Sequence, residues 1–543
     1  MKRRQFIIGC VTGLLSVPLT GAASAPAAAR KRRLISNHDG GILSVEPPIT
    51  ADHFRESVRS YAGTPVDAIS WCVGDREVYN YDTKVGEVFG RGRATFENEG
   101  DWRVYKNTRR LIASGRCALA TMVDVCRQES MDIFASVRMN SHYVTDPDSP
   151  HHSEFRRKHP EFLIGAPGGY SKGSREYGIR MGLNYAVPEV RQRMAATITE
   201  LFTSFETDGV EMDFMRHPSF FKLHEAVENS YHMTNMLREI KSKRDEVRRV
   251  TGRSIELVAR VPPTFADAMH VGLDVRTWIK EGLVDILIAG GGFIPFDMPF
   301  EDFVATARGT NCQIYGGMEF LRFRNAPTSD VEIERGIASR FWNAGADGLQ
   351  LFNYFAQPTA WKKNLLNEIG HPDQLATLDK RFQMDTRRFN PPWNGHGAAF
   401  STAIPAVQLP VTLLQTSTDK GPALHLHVAD DLQSARENGT LVGTELGLYF
   451  DNLTSGDEIE VHLNGQRLKD GQRNQVDLIS FWNKGQRKDG GRFLNGTVVF
   501  DSAPLVQGTN LLEVRLLKHP ENLAVPLKLA LVEAAVRYGT GRG

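Results

Sequence analysis

Residues 208–218 read Asp-Gly-Val-Glu-Met-Asp-Phe-Met-Arg-His-Pro. A period of two places Val210 and Met212 on one face of a predicted strand and Glu211 and Asp213 on the other. We expect the apolar face to pack against helices and the acidic face to turn toward an interior. A buried carboxylate is costly unless it is paired or used, so this acidic face indicates a functional site.

The chain on both sides of this stretch alternates short apolar runs with longer amphipathic runs, as a parallel sheet with crossover helices does. Eight runs are predicted strands: Leu34–Asn37, Asp67–Val73, Asp132–Val137, Gly209–Asp213, Ile255–Arg260, Val284–Ala289, Gln313–Met318 and Gly348–Phe352. Helical runs between them include Pro188–Phe205, His224–Val250, Glu332–Ala344 and Ala360–Ile369. Eight such units predict an α/β fold, a (β/α)₈ TIM barrel over residues 34–372, with insertions at 74–102 and 139–187.

The pattern of apolar and polar residues changes after the predicted barrel. Residues 373–397 contain a Pro-, Asn- and Gly-rich segment and are predicted to be a linker. Alternating runs separated by turn residues follow: Ala423–Val428, Glu445–Asp451, Glu458–Leu463, Gly496–Phe500, Asn510–Leu517 and Leu527–Tyr538. This pattern predicts an all-β sandwich over residues 398–543 as an accessory domain.

The N-terminus and the composition restrict where the protein acts. Lys2, Arg3 and Arg4 precede an apolar run, and small residues at 23–25 suit a cleavage site, so residues 1–25 are predicted to be a twin-arginine-like export signal. We therefore expect a periplasmic or extracellular protein. The formal net charge of +1 gives no general attraction to nucleic acid or an anionic membrane. No later run is long enough to span a bilayer, so we expect no membrane association after signal removal.

The two carboxylates of the fourth predicted strand have different expected roles. Active sites of these barrels lie at the carboxyl ends of the strands, so Asp213 is predicted to act in catalysis or ligand binding. For Glu211, two interpretations stay open. It contributes to substrate binding, or it forms a buried salt bridge with Arg138 or Arg260, which end the adjacent third and fifth strands.

Residues 184–191, Asn-Tyr-Ala-Val-Pro-Glu-Val-Arg, and residues 208–218 together resemble the glycosyl-hydrolase-like barrel proteins grouped near glycoside hydrolase family ten. The fourth strand of those proteins reads Asp-Gly-apolar-x-apolar-Asp, followed by Arg and Pro. The resemblance covers about residues 34–370 and implies a sugar-active barrel. It implies that Asp213 is the acid at the strand end and that Arg216 is the arginine after it. His217 departs from the pattern, since an aromatic residue is common there. Residues 457–466 and 508–514 resemble jelly-roll accessory domains, which bind sugar or brace the barrel.

Hydrolysis of a glycoside by two carboxyl groups requires a partner for Asp213. Glu319 ends the seventh predicted strand, and sugar hydrolases on this fold often take their pair from strands four and seven. Asp213 and Glu319 are therefore the predicted catalytic pair, with a surface glutamate or a salt bridge as the alternative for Glu319. Which of the two is acid and which is nucleophile stays open, because the surroundings set each pKa. The stereochemical course stays open as well.

Other polar and aromatic residues stand at predicted strand ends, where they converge on one cavity. We expect them to orient a sugar through hydrogen bonds or, for Trp71, Trp102 and Tyr354, through ring stacking, although a packed core aromatic is the alternative for each ring. The predicted substrate-binding residues are Asp39, Trp71, Arg138, Asn140, His142, Glu211, Arg216, His217, Arg260, Asn353 and Tyr354.

The sequence thus predicts a secreted glycoside hydrolase that acts on a polysaccharide or oligosaccharide. A carbohydrate-binding barrel without activity is the alternative from another class. A metal-dependent hydrolase is a third interpretation, in which His38, Asp39, His142, Asp213 and His217 would converge on one ion. No close ligand pair supports a metal site, and the glycines at 290–292 lack the context of a phosphate-binding loop, so no cofactor is predicted.

Overall fold

The computed structural model describes residues 30–142, 146–166, 170, 175–290, 294–319, 330–385, 407–415, 421–477 and 494–539. Within these ranges eight parallel strands close a barrel in the order β1-β8-β7-β6-β5-β4-β3-β2. The barrel strands are β1 (Leu34–His38), β2 (Val66–Cys72), β3 (Asp132–Arg138), β4 (Gly209–Asp213), β5 (Glu256–Val261), β6 (Ile286–Gly290), β7 (Gln313–Glu319) and β8 (Gly348–Phe352). The predicted barrel is confirmed, and the strand ends differ from the prediction by about two residues at most.

Helices pack around the barrel and connect its strands. They are α1 (Ala51–Arg59), α2 (Glu99–Ala113), α3 (Ala118–Gln128), α4 (Glu154–Lys158), α5 (Pro188–Ser204), α6 (Ser230–Thr251), α7 (Phe265–His270), α8 (Val275–Lys280), α9 (Phe300–Ala307), α10 (Asp330–Asn343), α11 (Thr359–Ile369) and α12 (Pro372–Leu375). Pro188 occupies the first turn of α5, where its missing N–H costs nothing. Gly252 ends α6 in the left-handed conformation at φ 71°.

The barrel interior is layered along the axis. An apolar cluster fills it near the amino ends of the strands and has no solvent exposure: Ile35, Ala68, Phe134, Val258, Ile286, Ile288 and Tyr315. Above this cluster the interior side chains become polar, beginning with Ser136 and Glu211. The carboxyl-end rim then carries charged groups, among them Arg138, Asp213 and Arg260, which are register neighbours on three adjacent strands. The site therefore stands on a dry apolar floor.

The two insertions after β2 and β3 are tied together beside the rim. A small sheet formed by Gly74–Asp75, Val78–Tyr79 and Glu87–Val88 lies in the first insertion. Arg156 of the second insertion forms a two-pronged ion pair with Glu77 of the first, at 2.7 and 3.1 Å. Both side chains are at most 2% exposed, so the pair fixes the insertions to one another.

The C-terminal domain is formed by antiparallel sheets, as predicted. Its strands are β9 (Lys380–Gln383), β10 (Val411–Thr412), β11 (Ala423–Val428), β12 (Leu441–Asp451), β13 (Glu458–Leu463), β14 (Gln466–Arg467), β15 (Gln472–Asp477), β16 (Leu494–Asp501), β17 (Gly508–Lys518) and β18 (Lys528–Tyr538). One sheet has the order β9-β18-β12-β16-β15, with β10 also beside β18, and the other has the order β11-β17-β13-β14. A short helix, α13 (Leu432–Glu437), follows β11.

The segment predicted as a linker contributes to the sheet. β9 lies within residues 373–397 and pairs with β18 over Lys380–Gln383, and it also packs against α10 of the barrel. A buried cluster joins the two domains at this point. Asp430 accepts hydrogen bonds from Ser339 of α10 and Tyr538 of β18, both at 2.6 Å, and forms an ion pair with Lys380 at 2.8 Å.

The cysteines and the helices give two further findings, on disulfide bonds and on membrane-spanning segments. Among the described residues, Cys72, Cys117, Cys126 and Cys312 are buried and form no disulfide. Among the helices that the structure describes, none has the length and apolar character to cross a membrane. Residues 1–25, the predicted export signal, lie outside the described residues.

Candidate active site

Asp213 lies on the floor of the rim at the end of β4, with 2% of its surface exposed. Its Oδ1 accepts hydrogen bonds from the backbone N–H groups of Met215 at 2.9 Å and Arg216 at 3.3 Å. Arg260 of β5 donates to both carboxylate oxygens, at 3.1 and 3.3 Å. All of these partners are N–H donors, as an ionised carboxylate requires, and most of them donate to Oδ1. Oδ2 is therefore the oxygen with the greater capacity to meet a ligand.

Glu211 lies two residues deeper on the same interior face and is 1% exposed. The salt bridge considered for it from the sequence is not present, because the register of β4 and β5 places Arg260 opposite Asp213. Glu211 instead accepts a hydrogen bond from Ser136 of β3 at 2.8 Å. Burial, and next the charge of Asp213, raises the pKa of Glu211 to about 7. It lies beneath Asp213, away from the part of the rim that a substrate reaches.

Glu319 ends β7 and is partly exposed at the same rim. Asn353, just after β8, donates a hydrogen bond to its Oε1 at 2.9 Å. Burial raises the pKa of Glu319, and the nearby guanidinium groups of Arg260 and Arg216 oppose that rise without cancelling it. Arg260 thus contacts Asp213 and acts electrostatically on Glu319, so both carboxyl groups lie at the carboxyl-end rim and interact with the same guanidinium.

Three further predicted residues line the rim beside this pair. Arg138 forms an ion pair with Asp39 at 2.9 Å. Burial pushes the pKa of Asp39 upward, but Arg138 and Arg216 outweigh it, and the pKa lies below its usual value. Arg216 is partly exposed, and its guanidinium lies 5.3 Å from the ring centre of Phe352. Asp39, Arg138 and Arg216 thus offer charged and hydrogen-bonding groups at the mouth of the barrel.

The predicted aromatic platforms differ in their placement. Trp71 points out of the barrel, because the alternation along β2 turns it toward the helices, and its fully buried ring stacks on His38 at 4.8 Å. Tyr354 is also fully buried and donates its hydroxyl hydrogen bond to Glu334. Both rings pack in the core, which argues against stacking on a sugar. Trp102, on α2, is 41% exposed.

Asn140, His142 and His217 connect loops behind the rim. Asn140 donates to the backbone carbonyls of Leu183 and Ser219 at 2.9 and 2.7 Å. The backbone N–H of His142 donates to Nδ1 of His217 at 2.6 Å, and the two rings lie 5.2 Å apart. All three of these side chains are buried. These side chains therefore connect the loops after β3 and β4. We predicted instead that they contact the substrate.

Three residues that were not predicted as site residues belong to the rim. Asn37 donates to Asp39 at 3.0 Å and accepts from the backbone N–H of Asn353 at 2.7 Å. Asp75 lies 3.5 Å from Arg138. Phe352 lies under the guanidinium of Arg260 at 4.0 Å. The alternation along β1 and β8 could have identified Asn37 and Phe352 as interior residues near the rim. Asp75 follows β2 in an insertion for which the sequence predicts no strand.

The metal interpretation concerned His38 together with four other side chains. Across the described part of the chain, no group of three or more His, Cys, Asp and Glu side chains has an arrangement that could hold a metal ion. His38 is buried between the rings of Trp71 and Phe355, and its Nδ1 accepts a hydrogen bond from the backbone N–H of Gly40. Burial lowers the pKa of His38 to about 4, so this ring is neutral.

No family model and no curated protein match this chain, so the resemblance to glycoside hydrolase family ten stays a prediction. Solved structures that match it include the PgaB (BpsB) glycoside hydrolase domain from Bordetella bronchiseptica, at 10% identity and a TM-score of 0.38, over 62% of this chain and 98% of that one. An alpha-amylase from Anoxybacillus matches at 11% identity and a TM-score of 0.37, over 90% and 99% of the chains. A glycoside hydrolase family 18 N-acetylglucosaminidase from Paenibacillus barengoltzii matches at 12% identity and a TM-score of 0.35, over 62% and 99%. These neighbours are glycoside hydrolases, but the similarity is too low to argue function, which has to come from the site itself.

Proposed function

We propose that this protein is a glycoside hydrolase that cleaves a polysaccharide or oligosaccharide with Asp213 and Glu319 as its carboxyl pair. The observation that carries the proposal is the position of Arg260. It holds Asp213 by an ion pair and acts electrostatically on Glu319, so two carboxyl groups from β4 and β7 share one site in different surroundings. Carboxyl groups whose surroundings differ in this way suit separate acid and base roles.

The surroundings of each residue favour one assignment of roles. Glu319 is partly exposed and its pKa is raised by burial, which suits the general acid that protonates the leaving oxygen. Asp213 is held by Arg260 and two backbone N–H groups, and its Oδ2 carries fewer of these hydrogen bonds than its Oδ1. It then acts either as the nucleophile at the anomeric carbon or as the base that activates water. A nucleophilic Asp213 gives retention and a basic Asp213 gives inversion.

Other rim residues are assigned to substrate positioning. Asp39, Arg138, Arg216 and Asn353 carry carboxylate, guanidinium and amide groups at the mouth of the barrel, and these groups match sugar hydroxyls. Asp39 and Arg138 are fixed by their ion pair and Asn353 by its hydrogen bond to Glu319, which limits the entropy lost on binding. Trp102 offers a partly exposed ring in the first insertion.

The proposal extends to export and to the second domain. The basic residues, apolar run and small residues at positions 1–25 support export to the periplasm or the cell exterior. The buried cluster of Lys380, Asp430, Ser339 and Tyr538 supports a bracing role for the C-terminal domain.

The test is hydrolysis of a broad panel of polysaccharides, followed as reducing-end release, by wild type, Asp213→Asn, Glu319→Gln and the control Glu228→Gln. Glu228 is an exposed residue before α6. Both site variants should lose about 10² to 10⁴-fold in rate while they stay folded, and the control should keep the wild-type rate. Sugar binding without any hydrolysis would support the binding-barrel alternative. Activity that survives both site substitutions would show that the site is elsewhere.

A further inference from the structure

Three buried ionisable side chains meet on the floor of the site. Asp213, Glu211 and Arg260 are each at most 2% exposed. Arg260 directs its guanidinium to Asp213, at 3.1 and 3.3 Å from the two carboxylate oxygens. Two carboxyl groups therefore lie beside one guanidinium in a space closed to solvent.

Two other arginines of the barrel have partners elsewhere. Arg138 pairs with Asp39 at 2.9 Å and lies near Asp75, and Arg32 pairs with Glu256 at the opposite end of the barrel. In the part of the chain that the structure describes, Glu211 makes no ion pair. Its Oε1 accepts from Ser136, and its Oε2 has no hydrogen-bond donor.

This arrangement accommodates one negative charge and disfavours two. An ionised carboxylate in a closed interior requires a cation or several donors, and Glu211 has a single neutral donor. When two carboxyl groups share one site, the group with less compensation keeps its proton. Burial and the charge of Asp213 raise the pKa of Glu211 to about 7, in agreement with this charge count.

We propose that Glu211 is held as a neutral carboxylic acid beneath Asp213 and is a positioning residue that keeps Asp213 as the single anion paired with Arg260. The role of Asp213 is taken from the proposed function, whereas the protonation state of Glu211 is independent of it. When Glu211 releases its proton to solvent, its carboxylate repels Asp213 and competes for Arg260. Asp213 is then displaced from its ion pair, and catalysis declines.

Few groups face Glu211 and influence its ionisation. Asp213 of β4 opposes ionisation, and Arg260 of β5 favours it. Ser136 of β3 donates a hydrogen bond that favours the ionised form, and the neutral hydroxyl of Ser70 on β2 lies near enough to favour it as well. Cys72, the register neighbour of Ser136 on β2, stays neutral because burial raises the pKa of its thiol to about 11. No histidine or lysine is among the main influences on Glu211, so one ionisation governs the effect.

The kinetic test compares Glu211→Gln with wild type across pH, on a substrate found in the panel above. Gln reproduces the neutral form, so the variant-to-wild-type ratio of kcat/KM should be constant at low pH. Above about pH 7 the ratio should rise, by up to roughly tenfold per pH unit, because only wild type acquires the second charge. Taking the ratio cancels the ionisation of Glu319. A ratio that is independent of pH would overturn the proposal, since a merely structural residue gives that result.

The control variant is Ser136→Ala, which removes a bond that favours the ionised form of Glu211. The kcat/KM of Ser136→Ala should therefore begin to decline at a higher pH than the kcat/KM of wild type. A shift to lower pH, or no shift, would contradict the proposed role of Glu211.

A spectroscopic test needs no substrate and separates failure of this proposal from failure of the proposed function. Infrared difference spectra of wild type minus Glu211→Gln at pH 6 should show the carbonyl band of a protonated carboxylic acid. In the Asp213→Asn background, the corresponding difference spectrum should lack that band, because Glu211 then ionises to pair with Arg260. If wild type lacks the band at pH 6, Glu211 is ionised and the proposal is wrong. If the band is present and no glycoside is cut, the proposed function fails and the protonation state of Glu211 stands.

Discussion

Arg260 is the side chain on which the geometry of the rim depends. It pairs with Asp213, lies over the ring of Phe352 at 4.0 Å and acts on the charge of Glu319. Its own exposure is 1%, so its charge is compensated almost entirely by protein groups. A buried ion pair of this kind adds little net stability, yet removal of one partner leaves the other charge uncompensated.

Substitution of Arg260 therefore has a predictable effect on stability. Arg260→Met leaves Asp213 buried without a cation, and we expect the free energy of unfolding at pH 7 to fall by about 3–5 kcal/mol. Arg216→Met is the matched control, because Arg216 is partly exposed and lies over the same ring. It should cost about 1 kcal/mol or less. Urea unfolding measures both values, and equal losses in the two variants would show that the pair with Asp213 is not the source of the effect.

The sequence predicted where individual side chains lie more accurately than it predicted their ion-pair partners. Alternation around residues 208–218 correctly put Asp213 at a strand end and on the interior face. Alternation also carries the reason why Trp71 faces the helices, since it is offset by one residue from the interior position Ser70. Which arginine pairs with which carboxylate depends on the register between β4 and β5. Register is set by the whole barrel and is not visible in either strand alone.

At the scale of elements, β4 approaches β5 closely at Gly209. A Cβ atom at this position would lie 2.1 Å from the backbone oxygen of Glu256, which cannot move without opening the sheet. Gly209 is the register partner of Glu256, four residues before the pair of Asp213 and Arg260. The absence of a side chain at Gly209 thus helps to set the depth at which Asp213 is held.

We expect Gly209→Ala to separate β4 from β5 and to lower both stability and activity. Overpacking of this kind costs about 1–3 kcal/mol or more. Gly443→Ala in β12 is the matched control, since a Cβ there meets no atom within 4 Å and the change should be tolerated. Thermal unfolding and hydrolysis rate are the measurements. A Gly209→Ala protein as stable and active as the control would show that the close approach does not hold Asp213 in place.

The elements themselves were largely predictable, and β9 is an exception with a clear physical cause. Strong periodicity gave the eight barrel strands and the major sandwich strands within a few residues. β9 was missed because it is only four residues long and follows the barrel directly, inside the predicted linker. Its pairing with β18 joins residues more than a hundred positions apart, and such contacts leave little trace in the local pattern.

In the whole molecule, a buried polar cluster around Asp430 joins the sandwich to α10 of the barrel. Lys380 is fully buried and its compensating charge is Asp430, which also accepts from Ser339 and Tyr538. Asp430→Leu and Lys380→Met should each lower the free energy of unfolding by about 3–5 kcal/mol, because each leaves a buried charge without its partner. The double variant should lose less than either single variant. Urea unfolding tests this order, and additive losses in the double variant would contradict it.

A second contact between the domains predicts a dependence on pH. Asp297 lies beside Asp385, whose carboxylate accepts from the backbone N–H groups of Phe296 and Asp297 at 2.8 Å. Burial, and next the charge of Asp385, raises the pKa of Asp297. A carboxyl group with a raised folded pKa stabilises the fold at low pH, and this stability is lost as pH rises through that value. We expect Asp297→Asn to lose less stability than wild type between pH 5 and 9, and equal pH dependence of their thermal unfolding would contradict this.

In the proposed mechanism, Glu319 protonates the leaving group while Asp213 acts on the sugar. The most direct measurement is the hydrolysis of two glycosides of the same sugar, one with an acidic phenol and one with an alcohol as the leaving group. Glu319→Gln should keep close to the wild-type kcat/KM on the phenol glycoside and lose about 10² to 10⁴-fold in kcat/KM on the alcohol glycoside, because kcat/KM reports cleavage of the glycosidic bond and an acidic leaving group needs no proton. Asp213→Asn should lose activity on both. Equal losses on both substrates in Glu319→Gln would contradict the assignment of Glu319 as the acid.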